Sequence, residues 1–145
     1  RQGLPSVLKD RTYDHLTQKG GFILKNVRGA RDVTLMATGS EIAIALEAAA
    51  MLELSGLKVA IVSMPCWELF DQQSDQYRQS VLGSAPRIAV EALTGFGWDR
   101  YLRPQDVFIG MTDFGASGPA PELYEYFGIT KEAICETAER LVQRS

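Results

Sequence analysis

The stretch Val33-Thr-Leu-Met-Ala-Thr-Gly-Ser-Glu41 decides the fold of this 145-residue chain. Its first part, Val33 to Ala37, is a continuous apolar run of the kind that is buried on both faces of a parallel sheet. Gly39 then permits a turn, and Ser40 is a suitable N-cap for a helix over residues 41–55. The apolar residues of that helix recur at helical spacing: Ile42, Ala45, Leu46, Ala49 and Leu52.

The alternation of strand and helix continues along the chain. Apolar runs predict four more strands, at residues 22–27, 58–63, 87–91 and 106–110. Helices or helical turns are predicted at residues 67–70, 74–82, 98–101 and 130–144, with Ser74 and Thr130 as N-caps. This order favours right-handed crossovers between parallel strands. The predicted fold class is α/β, a three-layer α/β/α domain with a mostly parallel five-stranded sheet over residues 22–145, after a linker or arm over residues 1–21.

Composition and charge exclude several classes of function. The net charge of −3 disfavours nucleic acid or an anionic membrane as the main partner, and no run of eighteen apolar residues is present. Two distant cysteines, Cys66 and Cys135, indicate a reduced, cytoplasmic protein, and a single histidine (His15) leaves no soft-ligand zinc site. Because the chain starts at Arg1 without an initiator methionine, we expect it to be a piece of a longer protein.

The turn Thr38–Glu41 is the first candidate binding site. It joins the carboxyl end of a strand to the N-terminus of a helix, where open α/β sheets bind ligands and where anions are favoured. The turn is neither a G-x-G-x-x-G nor a Walker sequence, and the charge of Glu41 would repel a phosphate. We therefore interpret Gly39 as the residue that permits the turn, and Ser40 and Glu41 as the cap.

Candidate catalytic residues are few. Cys66 could act as a nucleophile only with His15 as its base, and burial beside Pro65 and Trp67 is the favoured interpretation. Residues 95–98 could cradle a ligand, but a turn that seats Trp98 in an interface fits better. Carboxylates offer acid/base candidates that no spacing pairs: Asp71, Asp75, Glu91 and Asp113. We predict no catalytic, cofactor-binding or metal-binding residue in this chain.

A long loop follows the last predicted strand, over residues 110–130. Pro119 and Pro121 fix the backbone and withhold two donors, and no Lys or Arg lies between Gly110 and Thr130. Aromatic side chains stand behind this stiff, apolar segment. It therefore suits docking against protein better than binding a small anion.

Seven segments of this chain, taken in order, carry a resemblance to a known family. Each segment is modest alone, and together they cover nearly the whole chain. They are Met36-Ala-Thr-Gly-Ser-Glu41, Val62-Ser-Met-Pro65, Phe70-Asp-Gln-Gln73, Tyr77-Arg-Gln-Ser-Val81, Ala89-Val-Glu-Ala92, Trp98-Asp-Arg-Tyr101 and Gly110-Met-Thr-Asp-Phe-Gly-Ala-Ser-Gly-Pro-Ala-Pro121. In this order they resemble the C-terminal third of transketolase, the thiamine-diphosphate enzyme of the pentose phosphate and Calvin pathways.

The resemblance implies a division of labour. In this family the preceding domains hold thiamine diphosphate and Mg²⁺ or Ca²⁺, the cofactor lies between the subunits of a homodimer, and a two-carbon ketol unit passes from a ketose phosphate to an aldose phosphate. The C-terminal domain makes structural contacts, so we expect this chain to be inactive alone. Arg1-Gln2 resembles the end of a Ser-Arg-Gln segment whose arginine binds the sugar phosphate, which implies substrate-phosphate binding by Arg1.

Two other functions stay open. The turns after Ala37 and Gly110 could form an anion or effector pocket, as in a regulatory module of a related thiamine-diphosphate enzyme (1-deoxyxylulose-5-phosphate synthase or a 2-oxoacid dehydrogenase β subunit). The chain could also be a purely structural module that helps the parent protein to dimerise. The chain departs from the family pattern at Cys66-Trp67, at residues 93–97 and at Gly118, none of which bears on chemistry.

Overall fold

The computed structural model describes residues 16–39, 41–94, 97–111 and 129–144. The strands in these ranges are β1 (Phe22–Lys25), β2 (Val33–Ala37), β3 (Val59–Ser63), β4 (Arg87–Thr94) and β5 (Val107–Met111). The helices are α1 (Glu41–Leu54), α2 (Trp67–Asp71), α3 (Asp75–Leu82) and α4 (Lys131–Arg144), and a 3₁₀ turn covers Trp98–Arg100. Across these ranges no helix has both the length and the apolar character that a membrane span requires.

The five strands form one sheet in the order β1-β3-β2-β4-β5. Strands β3, β2, β4 and β5 are parallel, and β1 runs antiparallel to β3 at one edge. Strand β2 is central and buried at every position, with Leu35 opposite Ile61 on one side and Ile88 on the other. The predicted mostly parallel five-stranded sheet is confirmed, and its first strand ends at Lys25, two residues before the predicted end.

Alternate residues of the central strands enter two separate cores, one on each face of the sheet. Leu35 and Ala37 belong to a core that includes the buried faces of α1 and α4, while Met36 belongs to a second core with residues of α2, α3 and the 3₁₀ turn. Because a strand points successive side chains to opposite faces, one apolar run supplies both cores. The predicted three-layer α/β/α arrangement is confirmed.

Two of the predicted helix caps lie in the described ranges. The Ser74 hydroxyl accepts a hydrogen bond from the backbone N–H of Tyr77 at 3.1 Å, and the Thr130 hydroxyl accepts one from Ala133 at 3.1 Å. Each cap satisfies one of the donors that a helix N-terminus leaves open. The third predicted cap, Ser40, lies outside the described residues.

The end of the predicted arm contacts the domain. The backbone carbonyl of Gly20 accepts a hydrogen bond from the N–H of Cys66 at 2.9 Å, and that of Gly21 accepts one from the Tyr77 hydroxyl at 2.8 Å. A Cβ atom on Gly21 would lie 2.6 Å from the sulfur of Met64 and 2.7 Å from the ring of Phe70, so a larger residue there would have to displace these side chains. The division into an arm over 1–21 and a domain over 22–145 stays a prediction, and residues 1–15 lie outside the described ranges.

Candidate functional site

The direction of the connections changes between β2 and β4. The connection from β2 leads into α1 on one face of the sheet, whereas β4 is followed by the 3₁₀ turn, which packs on the other face. Open α/β sheets bind their ligands at such a point, in the crevice outside the carboxyl ends of the two strands. Glu41 and Glu91 lie at this end, after β2 and near the end of β4. We call this place the switch-point crevice.

Glu41 is buried and Glu91 is half-buried. Glu41 is 6% exposed, and Glu91 accepts a hydrogen bond from the indole Nε1 of Trp98 at 2.6 Å. Burial raises the pKa of Glu91, the hydrogen bond from Trp98 opposes that rise, and the charge of Glu41 adds to it. The described part of the crevice therefore carries two carboxylates, and their charges disfavour an anion beside them.

The turn that precedes α1 matches its interpretation as a helix start. Gly39 has a φ of +54°, a conformation that residues with a Cβ rarely adopt. A Cβ atom at Gly39 would meet nothing within 4 Å among the described residues. Glycine is thus required there by backbone conformation. Glu41 in the first turn complements the helix dipole.

Aromatic rings form a cluster beneath the crevice. Trp98 is 1% exposed, and its ring centroid lies 4.8 Å from that of Trp67 in an edge-on arrangement. Tyr101 and Phe70 extend the cluster, with centroids 5.8 Å apart. At Gly97 a Cβ atom would lie 2.7 Å from the Trp67 ring. The structure therefore places Trp98 in a helix–sheet interface, where edge-on aromatic pairs are favourable.

Asp71 ties this cluster to the surface. Its carboxylate accepts hydrogen bonds from the Tyr101 hydroxyl at 2.8 Å and from the Arg100 guanidinium at 2.6 Å. Burial, together with the hydrogen bond to Asp71, raises the pKa of Tyr101 to about 12. Tyr101 therefore stays protonated at neutral pH and acts as a donor. Of the other two carboxylates, Asp75 pairs with Arg78, and Asp113 lies outside the described residues.

The thiols are free, and their surroundings differ. Cys66 is half-buried, next to the exposed Pro65 and the half-buried Trp67. The expectation from the sequence that Cys66 is buried is therefore only partly met. The cause is that the chain breaks at Pro65 and α2 starts at the surface. Cys135 is buried against the carbonyl of Ala48, and burial raises its pKa. His15, the only possible base for Cys66, lies outside the described residues.

The predicted site residues therefore separate into different groups. Asp71 and Glu91 take structural partners, and Arg1 lies outside the described residues. Within the described ranges no three His, Cys, Asp or Glu side chains come together as a metal site. Sequence reasoning missed the proximity of Glu41 to Glu91. The available signal was that each lies at the carboxyl end of a strand, but the pairing of those strands was unknown.

Comparison with known proteins identifies relatives over the whole chain. The family described as "Transketolase-like TK C-terminal domain" matches residues 20–130. Transketolase from Sinorhizobium medicae is 47% identical over 146 residues, which is 100% of this chain and 21% of that protein. Transketolase from Cereibacter sphaeroides is 50% identical over 142 residues, with 98% of this chain and 22% of that protein covered.

Solved structures agree with these relatives. Transketolase from Leishmania mexicana superimposes with a TM-score of 0.81 at 41% identity, over 90% of this chain and 19% of its own. Transketolase from Pichia stipitis, in complex with sedoheptulose-7-phosphate, gives a TM-score of 0.77 at 39% identity over 86% of this chain and 18% of its own. This chain spans about a fifth of the length of the relatives it matches. It belongs to the family of transketolase C-terminal domains.

Proposed function

We propose that this chain serves as the C-terminal domain of a cytoplasmic transketolase, which moves a two-carbon ketol unit from a ketose phosphate to an aldose phosphate. The observation that carries the proposal is the extent of the match. A relative 47% identical over the whole chain is about five times longer, so the chain corresponds to one part of a larger enzyme. The complex of the Pichia stipitis enzyme with sedoheptulose-7-phosphate supports a sugar phosphate as the substrate class.

The switch-point crevice does not fit thiamine diphosphate. Glu41 and Glu91 place two carboxylates outside the carboxyl ends of β2 and β4, where an open α/β sheet binds ligands, and their charges disfavour a diphosphate there. The same field disfavours the anion or effector pocket that the turn after Ala37 could otherwise form. We therefore assign thiamine diphosphate and Mg²⁺ or Ca²⁺ to other domains of a homodimer, and to this chain a structural role towards those domains.

An assay of the 145-residue chain tests this assignment. With thiamine diphosphate, Mg²⁺, xylulose 5-phosphate and ribose 5-phosphate, we expect no ketol transfer above the rate without protein. The Sinorhizobium medicae enzyme serves as the positive control under the same conditions. Turnover by the chain that is abolished by leaving out thiamine diphosphate would refute the assignment.

Arg1 is the one substrate-binding residue that we propose within this chain. A guanidinium fork binds two phosphate oxygens at once, which suits a sugar phosphate. Testing it requires a chimera, the Sinorhizobium medicae transketolase with the part that matches this chain replaced by this chain. In the chimera we expect Arg1→Gln to raise the KM for xylulose 5-phosphate about tenfold, or about 1.4 kcal/mol, with a smaller effect on kcat. An unchanged KM would refute the role.

A further inference from the structure

A cavity of about 620 Å³ opens at the amino ends of the parallel strands, opposite the switch-point crevice at their carboxyl ends. It lies where β2 and β4 begin and where α3 ends, and we call it the amino-edge pocket. Its described lining includes the guanidinium groups of Arg31 and Arg87, with Ser84 and Gln79 at the exposed rim. None of its described lining residues is Asp or Glu. The described lining of this pocket is therefore positively charged, in contrast to the two carboxylates of the switch-point crevice.

Arg31 is held in place by oxygen atoms without a net charge. Its Nη1 donates to the carbonyl of Val81 at 2.9 Å and to the hydroxyl of Thr34 at 3.1 Å, and its Nη2 donates to the carbonyl of Ser80 at 3.2 Å. A Cβ atom at Gly83, whose φ is +67°, would lie 2.8 Å from Nη1. The guanidinium therefore lies against bare backbone, and burial lowers its pKa.

Arg87 is held in a similar way. Its Nη1 donates to the carbonyl of Tyr101 and its Nη2 to the carbonyl of Gly83, both at 2.7 Å. Its Nε is buried and has no acceptor among the described residues. Burial lowers the pKa of Arg87, and the charge of Arg103 lowers it further while Asp106 opposes the change. A buried donor without an acceptor is costly.

The nearby carboxylate belongs to a third arginine. The side chain of Asp106 is fully buried, and it accepts hydrogen bonds from Nε of Arg103 at 2.9 Å and from the backbone N–H of Arg103 at 2.7 Å. The backbone N–H of Arg87 also donates to it, at 2.9 Å. The Asp106 carboxylate is thus paired with Arg103, and within the described ranges neither Arg31 nor Arg87 forms an ion pair. Helix-end carbonyls fix both side chains and leave their charge in excess.

We propose that the amino-edge pocket binds a small anion that carries a phosphate group. Two fixed guanidinium groups place two positive charges beside the pocket, and the neutral oxygens that hold them offset neither charge. The volume falls in the usual range for small-molecule sites and exceeds what a bare phosphate needs. This site is separate from the proposed ketol-transfer chemistry. It lies at the amino ends of the strands, whereas the switch-point crevice lies at their carboxyl ends, and it does not use Arg1.

Calorimetric titration of the 145-residue chain tests the pocket. The probes are inorganic phosphate and glycerol 3-phosphate, at constant ionic strength set with chloride, and glycerol is the uncharged control. We expect both phosphates, or one of them, to bind with one-to-one stoichiometry, and glycerol not to bind. Binding of inorganic phosphate alone identifies the free ion as the ligand class. Tighter binding of glycerol 3-phosphate identifies a phosphate monoester. Absence of heat with both phosphates overturns the proposal.

A charge placed at the rim locates the site. Ser84→Glu adds a carboxylate beside the two guanidinium groups without removing any of their hydrogen bonds, and Ser55→Glu adds the same charge at an exposed position outside the pocket. We expect Ser84→Glu to raise the Kd at least tenfold and to raise the melting temperature at low salt relative to Ser55→Glu. Both variants keep Arg1, so its contribution cancels. Equal Kd values in the two variants would show that the phosphate binds elsewhere and would overturn the proposal.

Discussion

Replacing Trp98 by Phe tests the electrostatics of the switch-point crevice. The indole Nε1 donates to the carboxylate of Glu91 at 2.6 Å, and the ring is 1% exposed. Phenylalanine keeps most of the apolar surface but cannot donate. The hydrogen bond to a charged group contributes about 1.5–3 kcal/mol, and the smaller ring leaves a void that costs about 1 kcal/mol more. We therefore expect Trp98→Phe to lower the free energy of unfolding by about 2.5–4 kcal/mol at pH 8.

The loss should depend on pH through Glu91. Burial raises the pKa of Glu91 above the ordinary value of 4.5, so the native protein loses stability as the pH rises from 4.5 through that raised pKa. The hydrogen bond from Trp98 is the influence that holds this pKa down, and its removal raises the pKa further. The destabilisation by Trp98→Phe therefore grows as Glu91 ionises. At pH 4, where the partner is a neutral carboxyl, we expect a loss that is smaller by about 1 kcal/mol.

Urea denaturation followed by far-ultraviolet circular dichroism measures both values. The matched control is Glu91→Gln, which keeps an acceptor for the indole and removes the charge. In that background we expect Trp98→Phe to cost the same at pH 4 and pH 8. The reasoning is refuted if the cost of Trp98→Phe in the native background does not change with pH, or if the change persists when residue 91 is glutamine.

Further substitutions test other parts of the structure by the same denaturation method. Asp106→Asn should cost about 2 kcal/mol at pH 7, because it weakens the hydrogen bonds to the half-buried guanidinium of Arg103 and removes its ion-pair partner. The cost should shrink below pH 3.8, because burial raises the pKa of Asp106 but the hydrogen bonds from Arg103 and Arg87 outweigh burial and lower it; a cost independent of pH would contradict this. Gly97→Ala should cost at least about 1 kcal/mol more than Gly56→Ala, because both have a φ of +91° but only the first meets a neighbouring ring; equal costs would count against the packing. Leu35→Ala should cost about 3–5 kcal/mol in the core, against less than about 0.5 kcal/mol for Leu54→Ala at 91% exposure; similar costs would disprove the assigned burial.

The apolar runs of this sequence predict its strands well, because a strand that is buried on both faces is apolar at most of its positions. Residues 33–37 form β2 within the predicted limits. Such a run does not determine the direction of its strand or which strands lie beside it in the sheet. The antiparallel pairing of β1 with β3, and the place of β4 beside β2, depend on contacts between distant segments. The side-chain pattern of a fully buried strand is the same in either direction.

Because strand pairing was unknown from the sequence, the charged pairs at the two ends of the parallel strands were not predicted. Glu41 and Glu91 are fifty residues apart, and their charges interact because β4 lies next to β2. Arg31 and Arg87 are brought to one pocket by the same pairing. Each residue read alone is an ordinary charged side chain beside a strand. The sequence did indicate that Glu41 disfavours a phosphate in the turn after β2, and the acidic crevice supports that interpretation.

The most direct test of the central claim is the ketol-transfer rate of the chimera, in which this chain replaces the matching part of the Sinorhizobium medicae transketolase. The comparison is the same enzyme with that part removed. If this chain is the C-terminal domain of a transketolase, the chimera transfers the ketol unit from xylulose 5-phosphate to ribose 5-phosphate at a rate within about tenfold of the intact relative, which corresponds to about 1.4 kcal/mol in the barrier. A chimera that is folded and dimeric but no more active than the truncated enzyme would contradict the claim.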